Sequence, residues 1–201
     1  MTQNSGDLRV RRTQKSIREA LIALAEERGF DAITVGEIAE RAMVSRAAFY
    51  RYYQNKYDLV EQIFEEAMHT FVRDVGPPRD LLNNFDPAEP TPELWIRLFE
   101  HFAVYEQLYR VLLGGKGSSW FVTKMRVYLA DMISVRVQEL ARYPNMKPIA
   151  NQEQFVTALI AALLVDTVTW WLEQGKPYTT RQIATSCYHL VFSILKGVTW
   201  E

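Results

Sequence analysis

The stretch from Thr34 to Leu59, TVGEIAERAMVSRAAFYRYYQNKYDL, carries three helix-start signals in close succession. Thr34 stands three residues before Glu37, the T-x-x-E spacing in which side chain and backbone cap each other. Val35, Ile38, Ala39 and Ala42 then give a short helix a single apolar face. After Met43 and Val44, Ser45 is a natural N-cap for a second short helix, predicted over Arg46 to Tyr53 and dense in aromatic and basic side chains. Asn55 caps a third, with Asp58 in its first turn, where the helix dipole favours an acid. Two short helices joined by a brief turn have the lengths of a helix-turn-helix, whose second helix can enter a major groove.

Upstream, Ile17, Ala20, Leu21, Leu24 and Ala25 recur at helical spacing, so Arg9 to Arg28 is predicted to be an amphipathic helix ended by Gly29. Residues 7 to 18 hold Arg9, Arg11, Arg12, Lys15 and Arg18 against Asp7 alone, a local balance of +4 in a chain whose net charge is −1. A basic arm on an otherwise mildly acidic protein fits a localised phosphate-binding surface. Met1 to Asp7 is polar, with no apolar stretch of the kind a secretory signal needs, so the expected location is the cytoplasm.

Downstream, Leu59, Ile63, Phe64, Ala67 and Phe71 form the stripe of a fourth helix, stopped near Gly76, Pro77 and Pro78. Asp86 to Pro92, with three prolines, is expected to be a loop, and Thr91 with Pro92 a cap and first-turn pair. Later breaks fall at Gly114 to Ser119, Tyr143 to Pro148 and Gly175 to Pro177. Only helical patterns lie between them, so the expected fold is all-α: an N-terminal three-helix helix-turn-helix domain (1–55) joined by helix four to a C-terminal helical bundle (56–201), about nine helices in all.

At 48% hydrophobic and 23% charged residues the composition is that of a folded globular protein. Cys187 has no partner for a disulfide, and His69, His101 and His189 are too far apart for a metal motif, so neither metal nor cofactor is expected. Phe155 to Leu172 holds one charged residue, Asp166, and has the length of a membrane span. Asp166, Thr157, Thr167 and Thr169 make it costly in lipid, and no membrane partner is expected. The final helix, Arg181 to Lys196, has two apolar faces: Ile183, Cys187, Leu190 and Ile194 on one, Ala184, Tyr188, Val191 and Leu195 on the other. One suits its own domain and the other a second copy, which points to a homodimer through Phe155 to Leu172 and Arg181 to Lys196, with Ile160 and Val191 as its test positions.

The strings Thr34-Val35-Gly36-Glu37-Ile38-Ala39, Ala42-Met43-Val44-Ser45, Ala48-Phe49-Tyr50-Arg51-Tyr52-Tyr53 and Asn55-Lys56 closely resemble the DNA-binding signature of the tetracycline-repressor-type (TetR) family, over about Arg9 to Phe71. The resemblance implies a transcriptional regulator rather than an enzyme, bound as a dimer to an inverted-repeat operator in double-stranded DNA. Ile38, Ala39, Phe49 and Tyr53 would lock the short helices onto helix one. Thr34, Ser45, Arg46, Ala47, Ala48, Tyr50, Arg51, Tyr52 and Lys56 would face the nucleic acid. Of these, Tyr50, Tyr52 and Lys56 would meet phosphates, and Arg46 and Arg51 base edges, an arginine being able to grip guanine O6 and N7. Three positions depart from the family pattern. Met43 stands where glycine is usual, in a turn that can require positive φ, Ala48 replaces threonine, and Gly36 lacks a side chain where one could reach bases.

Beyond Phe71 the chain is more weakly similar to the branch that regulates dihydroxyacetone kinase genes. The resemblance implies a repressor released by a small apolar or amphipathic effector, with Phe99, His101, Phe102, Tyr105, Trp120, Met125, Tyr128, Asp166 and Trp170 as candidate lining and Arg136 as a further polar candidate. A regulator worked by a protein coactivator, and a helical protein-binding adaptor, are the alternatives. Enzyme motifs G-x-S-x-G, H-E-x-x-H and C-x-x-C are absent. Gly114-Gly115-Lys116-Gly117-Ser118 lacks the first glycine and the Ser or Thr after lysine that a phosphate loop needs, and reads as a flexible hinge.

Overall fold

A computed structural model describes residues 3–75, 91–140 and 153–198, with side chains described over most of them. The described residues form helices α1 (Gln3–Arg28), α2 (Val35–Arg41), α3 (Arg46–Tyr50), α4 (Lys56–Val75), α5 (Glu93–Val104), α6 (Glu106–Leu113), α7 (Ser119–Leu140), α8 (Glu153–Glu173) and α9 (Thr180–Val198), and contain no strand. The fold is the expected all-α arrangement. The predicted loop over Asp86 to Pro92 and the break at Tyr143 to Pro148 fall mostly or wholly outside the described residues, as does the side chain of Arg136.

Local hydrogen bonds set the short helices. At α2 the Glu37 N–H donates to the Thr34 hydroxyl (3.3 Å) while the Glu37 carboxylate accepts from the Thr34 N–H (2.8 Å), completing the capping box. At α3 the Ala48 N–H donates to Ser45 Oγ (3.1 Å). Asn55 Oδ1 accepts from the N–H groups of Tyr57 and Asp58 at 2.9 Å, and Asp58 accepts from the Gln54 N–H at 2.7 Å. The helical part of α3 ends at Tyr50 rather than Tyr53, and α1 begins at Gln3 rather than Arg9, since no proline or cap interrupts that polar arm. Pro92 takes the N-cap position of α5 with no side-chain cap, because the Thr91 hydroxyl turns instead to Thr185 on α9 (2.8 Å).

One hydrophobic cluster runs from Ile17, Phe30, Ile38, Phe49 and Tyr53 in the head through Leu59, Phe64 and Phe71 on α4 to Trp95, Phe99, Phe121, Trp171 and Tyr188 in the body. α8 packs against α7 most extensively and also against α6, α9 and α5. It is long and apolar enough to cross a bilayer, yet half of that stretch is buried inside the bundle. Ile160 and Val191 belong to this interior, at 1% and 0% exposure, which corrects their placement on an intermolecular face. The outward apolar residues are Phe155, Leu159 and Trp170 on α8 and Leu190 on α9. Cys187 is buried, and burial pushes its thiol up to about 12.

Head and body meet at a turn rather than a hinge. Gly29 has φ +83°, and a Cβ there would stand 2.8 Å from the Lys116 carbonyl, so both the conformation and the approach require glycine. The Phe30 N–H donates to that carbonyl at 3.3 Å, and the Gly115 N–H donates to Glu173 Oε1 at 2.7 Å. The segment 114–118 read as a flexible hinge is thus bonded to α8 on one side and to the α1–α2 turn on the other. Arg110 pairs with Glu26 across the junction, and beside it Lys124 on α7 pairs with Glu61 on α4 while Trp120 meets Tyr57 edge-on at 5.0 Å.

Candidate nucleic-acid interface

The cations of the head divide into two groups. Arg28 binds Glu37 at 2.8 Å, Arg41 makes two hydrogen bonds to Glu27 at 2.8 Å each, and Arg18 grips Glu66 on α4 while its Nε donates to the Tyr53 hydroxyl at 3.5 Å. Arg18, counted in the basic arm, therefore turns inward and ties α1 to α4. Thr34 first, then Arg28, hold the Glu37 carboxyl down at about 2. By contrast Arg46 and Arg51, on α3 and at its C-cap, are exposed and their side chains make no hydrogen bond or ion pair among the described residues, and the same holds for the side chains of Arg9 and Arg12 on α1. Guanidinium groups without a carboxylate nearby keep all their N–H donors for an external acceptor.

The remaining candidates on this face have defined places. Tyr50 is 57% exposed and packs edge-to-face on the buried Phe49, while Tyr52 is half-buried beside Tyr53. Neither tyrosine hydroxyl has a partner among the described residues. Ala47 is exposed and Ala48 half-buried. Ser45 Oγ accepts at the cap and keeps its own proton free. The Thr34 hydroxyl both accepts from the Glu37 N–H and donates to the Glu37 carboxylate at 2.8 Å, so its polar capacity is largely used inside the capping box.

Lys56 departs from its sequence reading. Its ammonium donates to the carbonyls of Phe30, Asp31 and Ile33, each at 2.9 Å, and lies 4.7 Å from the Phe30 ring centroid. An ammonium has three protons, and all three are engaged. Desolvation lowers its pKa. The side chain fastens the α1–α2 turn to the start of α4, so the geometry does not place its charge against a phosphate. Nothing in sequence spacing signals this, because the three carbonyls lie 23 to 26 residues away.

Met43 follows its sequence reading: φ is +54° and the side chain is 92% exposed, so the turn keeps the left-handed conformation with a non-glycine residue in it. A methionine there is strained by roughly 1–2 kcal/mol.

The effector candidates do not converge on one place. His101, Phe102 and Tyr105 form a cluster with Tyr109, Met68 and Phe71, in which His101 Nε2 and the Tyr109 hydroxyl share a 2.9 Å hydrogen bond. Burial lowers His101 to about 4. Phe99 packs against Phe102 and Trp171 beside this cluster, and Met125 is buried in the core. Tyr128 sits edge-on to Phe64, and Trp120 lies at the head–body junction. Asp166 is exposed and paired with Arg126 at 3.0 Å, and Trp170 is 45% exposed on the outer face of α8, so these two stand apart from His101. An open concavity of about 480 Å3 along α4 is lined by Gln62, Glu65, Glu66, His69 and Thr70, none of them a candidate.

Residues 17–63 match the family described as bacterial regulatory proteins, tetR family, and residues 91–193 match a transcriptional regulator C-terminal region. Among curated relatives, the uncharacterized HTH-type transcriptional regulator YdeS of Bacillus subtilis is 42% identical over 64 residues, 32% of this chain and 32% of that one. The dhaKLM operon transcriptional activator DhaS of Lactococcus lactis is 34% identical over 62 residues, 31% of this chain and 33% of that one. The matched stretches thus span about a third of these relatives. In three dimensions the chain is similar to a TetR regulator from Streptococcus agalactiae (TM-score 0.61, 20% identity, 94% of this chain and 99% of that one). It is also similar to the dihydroxyacetone kinase operon activator DhaS (TM-score 0.57, 17% identity, 92% and 96%). With a helix-turn-helix at its N-terminal end and family matches over both halves, the chain is a transcriptional regulator that belongs to the TetR family.

Proposed function

We propose that the protein is a homodimer that binds an inverted-repeat operator through residues 1–55, while residues 56–201 dimerise and receive the signal. The observation that carries this reading is the sorting of arginines: Arg18, Arg28 and Arg41 are tied to carboxylates, whereas Arg46 and Arg51 on the recognition helix are not. Arg46 and Arg51 read base edges, Tyr50, Tyr52, Ser45 and the arm arginines Arg9 and Arg12 hold phosphates, and Ala47 and Ala48 leave room for close approach. Lys56 acts through its backbone N–H at the start of α4, an orphan donor near the positive end of the helix dipole. Thr34 builds the α2 start.

Dimerisation is supported by the outward Phe155, Leu159, Trp170 and Leu190, which leave apolar surface in water on α8 and α9. A two-fold dimer sets its two recognition helices in successive major grooves, with half-sites about one turn, ~34–36 Å, or a multiple of it apart.

The effector part of the reading narrows to the cluster of His101, Phe102, Tyr105 and Tyr109, which touches α4 through Met68 and Phe71. A small apolar or amphipathic molecule prying into it would shift α4, and with it the head fastened by Lys56, releasing a repressor. The scatter of Asp166, Trp120 and Trp170 favours a second reading, control by a protein coactivator without a small ligand, as an activator.

Selection of bound fragments from randomised duplexes, followed by binding at graded salt, tests the DNA reading. Recovery of an inverted repeat and a steep loss of affinity with salt are expected. Recovery of no preferred sequence would overturn it in favour of a protein-binding adaptor. Small molecules that raise the melting temperature and weaken operator binding together would select the effector version over the coactivator version.

A further inference from the structure

Gly36 is the second residue of α2, and nothing in its backbone calls for glycine: φ lies outside the left-handed region and the helix continues through it. Glycine inside a helix is less favourable than alanine, so its presence here needs another reason. The three atoms nearest to a Cβ built at Gly36 all belong to the Arg46 guanidinium: Nη2 at 2.5 Å, Nε and Cζ at 3.1 Å. Arg46, the first residue of α3, lays its planar head group across the first turn of α2. No hydrogen bond or ion pair with the described residues holds it there. The adjacent carboxylate, Glu37, is already taken by Thr34 and Arg28, and the positive end of the α2 dipole does not attract a cation. The empty space at Gly36 is therefore what seats the guanidinium.

We propose that Gly36 is a specificity-positioning residue acting through Arg46, its missing side chain setting the line along which the Arg46 guanidinium reaches a base edge. The proposal rests on the DNA reading above. Any side chain at 36 would have to evict the guanidinium, and the tip of an arginine is free to swing, so the fold survives while the aim changes. A bidentate arginine contact to guanine needs both donors in the plane of the base edge, and a displaced head group satisfies only one.

The test uses the full-length protein, its selected operator and all single-base variants of one half-site, in competition binding. The proteins are wild type, Gly36→Ala, Gly36→Ser, Arg46→Ala and the double variant Gly36→Ala/Arg46→Ala, with thermal melting as the control on folding. Arg46→Ala is expected to relax discrimination at one or two base pairs by roughly fivefold to a hundredfold. Both Gly36 variants are expected to change discrimination at those same base pairs, and the double variant to match Arg46→Ala alone, with the alanine variant melting no lower than wild type. Unchanged base preference in both Gly36 variants, changes at other base pairs, or additive losses in the double variant would each overturn the proposal and leave the DNA reading standing, as would an Arg46→Ala protein with wild-type preference. A wild type without preference for any duplex overturns the DNA reading itself, and the proposal with it.

Discussion

In the head, the starts of the short helices are set by polar side chains acting on their own neighbourhood; in the body, and between body and head, polar side chains also join distant segments. Thr34 with Glu37, Ser45 with the Ala48 N–H, and Asn55 with the Tyr57 and Asp58 N–H groups all act within three residues. Arg110 reaches Glu26 across 84 residues, Lys176 reaches Glu106 across 70, and Thr91 reaches Thr185 across 94. Helix starts set by local hydrogen bonds keep their shape when their surroundings move, and the ties from Arg41 to Glu27 and from Lys56 to the α1–α2 turn let the short helices be carried as a unit. A body held by long-range pairs changes shape when any one of its elements shifts. That is a physically sensible division between a reading head and the part that receives a signal.

The largest effect expected from this comparison lies one residue apart on α8. Ile160→Asp places an unpaired carboxylate in the interior, at a cost of roughly 3–5 kcal/mol, and should unfold the chain or leave it insoluble. Leu159→Asp sits on the 42% exposed face, and should leave a folded protein that sediments as a monomer and loses operator affinity. Circular dichroism and sedimentation separate the two outcomes. A Leu159→Asp protein that remains dimeric would remove α8 from the proposed interface.

How much of this could be read from the sequence follows the same division. The capping box and the Ser45 and Asn55 caps are legible because each follows from spacing or residue type within a few positions, whereas the positive φ at Met43 and the buried Tyr53 follow from the family resemblance. Ile160 and Val191 are misplaced by the sequence because neither a helix apolar on all sides, such as α8, nor one with two apolar faces, such as α9, says which side faces its own domain. The role of Lys56 was hidden because its three acceptors are backbone carbonyls, which carry no residue signature. The effector candidates are aromatic or polar residues of the C-terminal half, and composition does not tell which of them share a cluster.

The second effect tests the body by pH. His101 is held neutral by burial at about 4, against an ordinary value of 6.5. Between those values the unfolded chain takes up a proton that the folded chain refuses. Stability is therefore complete above pH 6.5 and falls as pH drops through this window, by on the order of 3 kcal/mol. Denaturant titrations at pH 7 and pH 4.5 should show the loss, and a His101→Gln variant should lose less over the same interval. Equal pH dependence in both proteins would mean that His101 is not the group responsible.

Lys56→Met comes third. Losing a charged donor from three carbonyls should cost about 2 kcal/mol, at the low end for charge-assisted bonds because the site is partly exposed and water replaces the ammonium. Operator affinity should fall with the loosened α1–α2 turn, while the slope of log affinity against log salt stays as in wild type. A side chain that neutralised a phosphate would lower that slope by about 0.9 on removal. A flattened slope with unchanged stability would therefore return Lys56 to the role its sequence position implied.

The smallest effect concerns Met43, the one residue of the helix-turn-helix whose own conformation opposes it. At φ +54° its Cβ crowds the following carbonyl, a strain of roughly 1–2 kcal/mol that glycine does not feel. Glycine gives part of that back, because its unfolded chain samples more conformations, an offset of about 0.4–1 kcal/mol. The side chain is 92% exposed, so its removal forfeits almost no burial. Met43→Gly should therefore raise stability by several tenths of a kcal/mol to about 1 kcal/mol, seen as a higher denaturant midpoint with the same slope. Operator preference should not change, since the turn's backbone hydrogen bonds, Met43 N–H to Glu40 and Val44 N–H to Ala39, survive the substitution. A loss of stability would mean that Met43 makes a contact its exposure conceals, such as one across the dimer or with DNA, and the same measurement on the operator complex would tell those two apart.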